Sequence, residues 1–550
     1  MSDFNLVTDP WIPVLTGRGS TVVTLEECLV GAHRYAGLAL DSPLAAVALF
    51  RQVILPVYLD AVFQEAGCDP PADEQQWSEL WSAQTLDRWP SWTGRDATSP
   101  APIASYLQRY RDRFEVFGAE PFAQVAGLST ANGTTKPVSL LLTAAATGNN
   151  VPLFSARTDA EPPALTPGEA IRALLAAHCW DTAGIKSGAA DDPQVKAGKT
   201  TGNQIGPLGA IGVMMPLGRT LAETVLLHVQ CSSGNDERDR PQWRAAAQDG
   251  LAPRSAWSSR DPRGLLDLLT WQARRIRLVP ERTPHGVLVR QVVLCAGDRM
   301  RTSQMEPHTA WRMSKQTKEQ LPVRHTAGQA AWRGMLPMLA AGAQTTADGA
   351  SSPVLRQIRR MQHDEQLPMD YPLRVLCVGL VYGTQNAVVE DAVVDLLPVP
   401  LAALDDGDVY QVVKEIVEQA EALRQAVNRL GDDLRAARGG DRLPWDKGQR
   451  AGDQMMHDLN LPAREALTAL QRAPADVEEV RRTWTAAARR VTMAAAKSLI
   501  DSAPPQTFLG RVSRNQHPHR AATAELWFRV AVTKALGAPE PAPASGGTTL

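Results

Sequence analysis

The sequence predicts an α+β fold: a large, irregular mixed domain over residues 1–400, followed by an all-α four-helix bundle over residues 405–536. Three observations predict it. Apolar residues make up 44% of the 550 positions. That is enough to bury large cores, and the length exceeds the roughly 250–300 residues at which single cores stop growing. Before residue 400, β-type runs and helical patterns intermingle without a regular βαβ alternation or a repeat of fixed period. From Asp408 onward, apolar residues recur in three- and four-residue steps.

In the first domain, Ser42 to Phe63 and Pro167 to Trp180 read as helices. Thr224 to Gln230, Val287 to Cys295 and Leu373 to Gly379 read as strands, being short apolar runs rich in β-branched residues. The stretch Val381 to Ala387 (VYGTQNA) follows the last of these as a strand-ending turn. Leu397 to Gly407, with two prolines and a terminal Asp-Asp-Gly, is the expected hinge. Asp408 then fits a helix N-cap with Gln411 three residues on. The stripe Val409, Val412, Val413, Ile416, Val417, Ala420, Leu423, Val427, Leu430 and Leu434 marks one helix face, stopped by Gly439-Gly440. A second helix spans Ala451 to Ala473 with a break expected at Pro462. A third runs from Asp476 to Leu499, and a fourth follows His519 with Leu526, Trp527, Val530 and Ala531. Short connections make the bundle antiparallel. The Pro/Ala/Gly-rich tail 537–550 is expected to be disordered.

Charge and cysteine content exclude several classes. Lys plus Arg total 57 and Asp plus Glu 59, a formal net charge of -2. A polycation that coats nucleic acid is excluded, and any nucleic-acid contact has to come from local basic patches. The six cysteines form no closely spaced pair, which excludes zinc ribbons and thioredoxin-type motifs and fits a reducing compartment. The N-terminus has no basic and apolar signal-peptide pattern. The apolar run Pro43 to Phe63 is interrupted by Arg51, Gln52 and Asp60. The expectation is a soluble cytoplasmic protein with no membrane contact.

Catalytic motifs are absent: there is no HExxH and no GxSxG. No metal site and no cofactor is expected. Gly198-Lys199-Thr200 is half a phosphate loop, but position 193 is Pro where Gly is required, and the preceding segment is polar. His517 and His519 form a close pair without further ligands. Two segments are better candidates. In Ala197 to Gly212, glycines at 198, 202, 206, 209 and 212 strip side chains from a segment flanked by Lys186, Lys196 and Lys199. Such a loop lets backbone N–H groups approach an anion. In Val381 to Ala387, Gln385 and Asn386 set two amides at the end of a strand, where they can bond base edges or wedge between bases. Basic clusters such as Arg274-Arg275-Ile-Arg277, Lys315 with Lys318, Arg356 with Arg359 and Arg360, Arg481-Arg482 and Arg489-Arg490 allow a polyanion partner without demanding one; solvated helix faces are the usual explanation for such runs. Trp77, Trp81, Trp89 and Trp92 fit packing or a protein interface better than base stacking.

The N-terminal Phe4-Asn-Leu-Val-Thr-Asp-Pro-Trp-Ile-Pro-Val14 resembles the opening of the CasA family, the large subunits of type I-E CRISPR Cascade surveillance complexes. The resemblance continues in order through Pro121-Phe122-x-Gln124, Thr147-Gly-Asn-Asn150, the Gly-rich loop before Thr224 to Leu227, Trp271-Gln272, Pro307-His308 and Gly383 to Ala387, and ends in a helical bundle. It implies a subunit that is not itself an enzyme. Such a subunit recognises the protospacer-adjacent motif (PAM) in double-stranded DNA, promotes strand separation and R-loop formation, and recruits a trans-acting nuclease-helicase. Its partners would be the crRNA-containing Cascade backbone and small subunits. Residue by residue, Gln385 matches the wedge position with Asn386 beside it. Lys199, Thr200, Gly202 and Asn203 match the Gly-rich loop, and Arg290 is nearest to a basic finger whose expected Lys is absent. Asn149, Asn150 and Phe154 match the loop that anchors the subunit to the complex. The bundle helps hold the DNA.

Two readings from other classes stay open. A nucleotide-dependent enzyme using Gly198-Lys199-Thr200 predicts ATP binding that Lys199→Ala abolishes. A protein-only scaffold, with the Trp-rich segment and the bundle as surfaces, predicts no salt-sensitive DNA binding.

Overall fold

The computed structural model describes residues 4–65, 69–84, 89, 102–143, 163–190, 192–231, 238–244, 257–301, 306–314, 316–339, 351–363, 367–405, 407–441, 450–512 and 518–538. Asn149, Asn150 and Phe154 of the expected anchoring loop lie outside the described residues, as do Trp92, Lys315, His517 and residues 539–550 of the tail. The chain divides into two compact units, Met1–Pro368 with Pro372–Leu397, and Met369–Tyr371 with Pro398–Leu550. The first is mixed α+β and the second helical, the fold class that the patterning predicts.

The core of the first unit is built around helix α1 (Pro43–Gln64), whose most apolar window is 94% buried. By length and composition alone this helix is able to cross a membrane; here it is the core helix of its unit. Arg51, Gln52 and Asp60 do not interrupt it. The helix passes through π-helical turns at Phe50–Ile54 and Asp60–Glu65 and buries all three polar side chains with partners. Arg51 Nη2 meets Glu306 Oε2 at 2.5 Å, and its Nη1 donates to the carbonyls of Leu268 and Leu269. Gln52 donates to the Leu175 carbonyl, and Asp60 accepts from Tyr106 and pairs with Arg244. Buried charge is tolerated only when paired in this way.

Helix α2 (Pro167–Trp180) packs on α1. Thr166 caps it in a reciprocal box with Glu169, Pro167 opens its first turn, and Asp181 leaves it in extended backbone. The run Thr224 to Gln230, expected to be a strand, lies mostly in helix α3 (Leu221–Leu227). Thr220 caps it through the Glu223 amide, and the Thr224 hydroxyl bonds back to the Thr220 carbonyl. Every residue of α3 is buried, so no polar face reveals its 3.6-residue period.

The strands that position the site are β1 (Val213–Leu217), β2 (Arg274–Thr283), β3 (Gly286–Ala296), β4 (Arg374–Tyr382) and β5 (Val389–Pro398). β2 and β3 form a long antiparallel hairpin whose register shifts between Val289 and Gln291. β3 pairs through Cys295 with Ser187 of the short strand Lys186–Ser187, which pairs in turn with Lys199–Thr200. β4 is the centre of a second sheet, ordered β5-β4-β1. The basic cluster on β2 faces inward: Arg274 pairs with Asp181 at 2.5 Å and Arg275 with Asp192 at 2.6 Å. Trp77 and Trp89 are fully buried; Trp81 stacks on Trp77 and Tyr58 stacks on Trp89, so these three tryptophans serve packing.

Among its described residues the second unit holds four long helices, α4 (Asp408–Ala437), α5 (Ala451–Arg472), α6 (Val477–Asp501) and α7 (Ala521–Leu536). The apolar stripe expected on α4 is buried along its length. Gly407, not Asp408, is the cap residue; Asp408 is the first helical residue, where its carboxylate still faces the positive helix end. α5 runs through Pro462 without ending. A proline removes one backbone bond, but Met455, Met456 and Leu459 before it and Ala463, Ala466 and Leu467 after it bury one continuous face. The segment expected to be a hinge contains a buried 3-10 turn, Leu401–Leu404. Arg481 pairs with Glu415 at 2.8 Å, and Trp484 donates to Gln419 at 2.8 Å, tying α6 to α4.

Candidate nucleic-acid interface

β4 ends at Tyr382, and the chain turns through Gly383, Thr384, Gln385 and Asn386 before returning as β5. Gln385 (φ 57°) and Asn386 (φ 53°) both adopt the left-handed region, which costs a non-glycine residue about 1 kcal/mol. The turn is held by its backbone: Gly383 N–H bonds the Val388 carbonyl and Asn386 N–H the Gly383 carbonyl, each at 2.9 Å. Ala183 N–H bonds the Asn386 carbonyl at 2.9 Å and clips the turn to the segment after α2. The Gln385 side chain is left exposed on a fixed backbone.

The Gly-rich stretch comes to the same place for a different reason. A Cβ on Gly206 would lie 2.3 Å from the backbone of Cys179, so only glycine lets this strand of chain pass the end of α2. Gly202 (φ +67°) turns the exposed loop tip. Asn203 is 8% exposed and donates to the carbonyls of Gly184 and Thr200. Thr200 is 3% exposed. Of the four loop residues expected from sequence, Lys199 and Gly202 therefore face solvent, while Thr200 and Asn203 shape the loop from within. Gly198-Lys199-Thr200 itself closes a tight hairpin bridged by Lys196 and Lys199, with no helix following as a phosphate loop requires.

Asp181 joins these pieces. Lys186 meets it at 2.8 Å and Arg274 at 2.5 Å. Burial alone would raise its pKa, but the two cations outweigh burial and hold the carboxyl below its ordinary range. Arg274 also donates to the carbonyls of Thr182 and Gln204, so one buried ion pair fixes both the clip beneath the turn and the Gly-rich loop.

Two cavities flank the turn, and both Asn203 and Gln385 line each of them. The first, about 500 Å³, also includes Asn386, Arg299, Arg301, Arg324 and Trp311 in its lining. Arg299 donates to the Thr201 carbonyl at 2.8 Å and lies 3.7 Å over the Trp257 ring. Its Nε has no acceptor among the described residues, and burial, then the charge of Arg274, lowers its pKa. Arg324 is exposed and donates to the Ala210 carbonyl. Arg301 is exposed and pairs with the equally exposed Asp261 at 3.3 Å, an ion pair that water screens. Trp311 is 5% exposed, and its indole N–H has no acceptor among the described residues. The carboxylates here are already engaged, Glu306 with Arg51 and Asp298 with Arg260. The cleft thus offers cations and N–H donors to a ligand rich in acceptors and negative charge.

Arg290, assigned from sequence to the basic finger, is not part of this cleft. It sits at the register shift of β3 and pairs with Glu281 at 3.1 Å. Arg299, Arg301, Arg324 and Trp311 stand beside Gln385 instead. Their one sequence signal is Arg299-x-Arg301 immediately after the Gly297-Asp298 turn that ends the longest strand.

Comparison with known proteins follows the same outline. A family model described as CRISPR-associated protein Cse1 matches residues 5–495. The CRISPR-associated protein CasA/Cse1 of Thermus thermophilus is 29% identical over 455 residues, 80% of each chain. Among solved structures, Thermobifida fusca Cse1 is 30% identical with a TM-score of 0.80, and Acidimicrobium ferrooxidans Cse1 is 28% identical with a TM-score of 0.77. Each alignment covers 97% of this chain and 98% of the other.

Proposed function

The chain belongs to the Cse1 (CasA) family of CRISPR-associated proteins, and from that premise we propose that it is the large subunit of an RNA-guided type I-E Cascade complex and reads the PAM of double-stranded DNA at the cleft beside Gln385. The observation that carries this is the juxtaposition of a rigid, exposed amide turn with Arg299, Arg301 and Arg324. Minor-groove base edges present mainly acceptors, and phosphates are anionic; both suit a lining of cations and N–H donors. Gln385 acts as a wedge at the first base step. R-loop formation is nearly balanced in energy, so a few protein contacts decide whether unwinding begins. The three arginines take the role that the sequence resemblance assigned to Arg290. The subunit is not itself an enzyme. It works in the cytoplasm with the crRNA-containing backbone and small subunits, and it recruits the nuclease-helicase after R-loop formation.

The test is duplex binding by the reconstituted complex with guide RNA, comparing a permissive with a scrambled PAM, wild type with Gln385→Ala, at two salt concentrations. This chain is expected to be required for discrimination, and Gln385→Ala to slow strand opening. Discrimination that survives without the chain overturns the function and favours a protein-only scaffold. A normally behaving Gln385→Ala overturns only the wedge.

A further inference from the structure

Two cavities meet at Gln385, and PAM reading uses only the arginine-lined one. The other encloses about 730 Å³, within the range of small-ligand sites. Its charge is different. Leu140, Leu142, Leu294, Val389 and Ile185 supply much of its wall. Its one cation among the described residues, Lys186, is committed to Asp181. Ile185 is 65% exposed, a large apolar side chain held toward water by the segment that follows Gly184. The amides of Asn203 and Gln385 stand where this cavity adjoins the arginine cleft. A wall of mixed apolar and neutral polar groups, with its cation already paired, suits a flat, uncharged ring with polar edges better than a phosphate.

A side chain driven into a base step unstacks it, and the base that leaves the stack must be solvated or sheltered. We propose that this second cavity receives a nucleobase extruded from the duplex at the step Gln385 parts. The inference rests on the PAM-reading role proposed above and adds a binding site to it. Gln385 is a common wall of both cavities, so a base expelled across it from the arginine cleft meets the second cavity next. The difference in charge follows that geometry: cations hold the paired, charged backbone on one side, and a lining whose one described cation is already paired covers the neutral base on the other. Ile185 is the residue such a base would cover. Asn203, fixed by its bonds to the Gly184 and Thr200 carbonyls, keeps the loop edge in place.

The experiment uses the assembled complex, guide RNA and a permissive-PAM duplex carrying 2-aminopurine at the first position beyond the PAM, on one strand at a time. Acrylamide quenching reports whether the unstacked base faces water. With wild type, 2-aminopurine is expected to brighten on opening and to resist acrylamide on one strand only, which identifies the strand that supplies the base. Ile185→Ser removes the apolar rim at an exposed position, and Thr143→Trp fills the cavity. Both are expected to keep PAM discrimination, to lose the shielding and to slow opening several-fold. Equal quenching on both strands in wild type, or shielding that survives both variants, overturns the inference while leaving PAM reading intact. If PAM discrimination persists in complexes lacking this chain, PAM reading falls and the inference with it.

Discussion

The hydroxyl of Tyr382 donates to the carbonyl of Trp180 across 2.5 Å, joining the last residue of β4 to the last residue of α2. From this bond the chain diverges on one side into the Gln385 turn and on the other into the 181–184 clip. Tyr382→Phe removes the donor and leaves a carbonyl unsatisfied. The expected result is a loss of about 1 kcal/mol in denaturant unfolding. Duplex opening should slow by more than PAM affinity falls, because the wedge backbone loses its reference point. Gln385→Ala, an exposed truncation, should leave unfolding unchanged.

Gly206 and Gly202 answer differently to the same substitution. Gly206→Ala places a methyl 2.3 Å from the Cys179 backbone, and overpacking of this kind costs at least about 1–3 kcal/mol. Gly202→Ala meets only the Arg299 guanidinium at 3.7 Å but forces alanine into φ +67°, a cost of about 1 kcal/mol. Thermal unfolding should rank Gly206→Ala as the more severe.

Salt dependence separates the arginines. Arg299→Ala and Arg324→Ala should each lower the slope of log affinity against log salt by about 1 for the assembled complex. Arg290→Ala, which frees Glu281 on an exposed hairpin, should leave that slope unchanged. A slope change confined to Arg290→Ala would return the basic finger to β3.

His178 is fully buried on α2, with Nε2 3.0 Å from the Ala123 carbonyl. Burial lowers its pKa to about 4; the Ala123 bond and Asp181 oppose this, and Arg274 adds to it. The unfolded chain takes up this proton near pH 6.5, the folded chain only near pH 4. Its contribution is therefore complete above pH 6.5 and lost as pH falls to 4, on the order of 3 kcal/mol. His178→Gln should flatten that part of the stability–pH curve measured by urea unfolding.

The four bundle helices are legible in sequence because each has a polar face, so the apolar period stands out. α3 is not legible as a helix, because all seven of its residues are buried and periodicity has nothing to alternate with. The amides at 385 and 386 are visible as residue types at a strand end, whereas their left-handed backbone carries no residue signal; glycine would mark it and Gln does not. Arg274 and Arg275 read as a basic patch because their carboxylates lie far away in the chain, at 181 and 192. Arg290 is nearest to the basic finger by its place in the order of matches, but its position beside Glu281 depends on the β2–β3 register. The cleft arginines come from two parts of the chain, 299–301 and 324, and meet the Gln385 turn only in the folded unit.

The pairing of Arg51 with Glu306 has a consequence for biosynthesis. The two residues are 255 positions apart, so at about 5–20 residues per second roughly 13 to 51 seconds separate their emergence from the ribosome. Throughout that interval α1 is a nascent segment with the hydropathy of a membrane span and a guanidinium whose carboxylate has not yet been made. The N-terminal unit must therefore mature after translation has passed its middle, and a holding chaperone has a defined window and a defined segment on which to act.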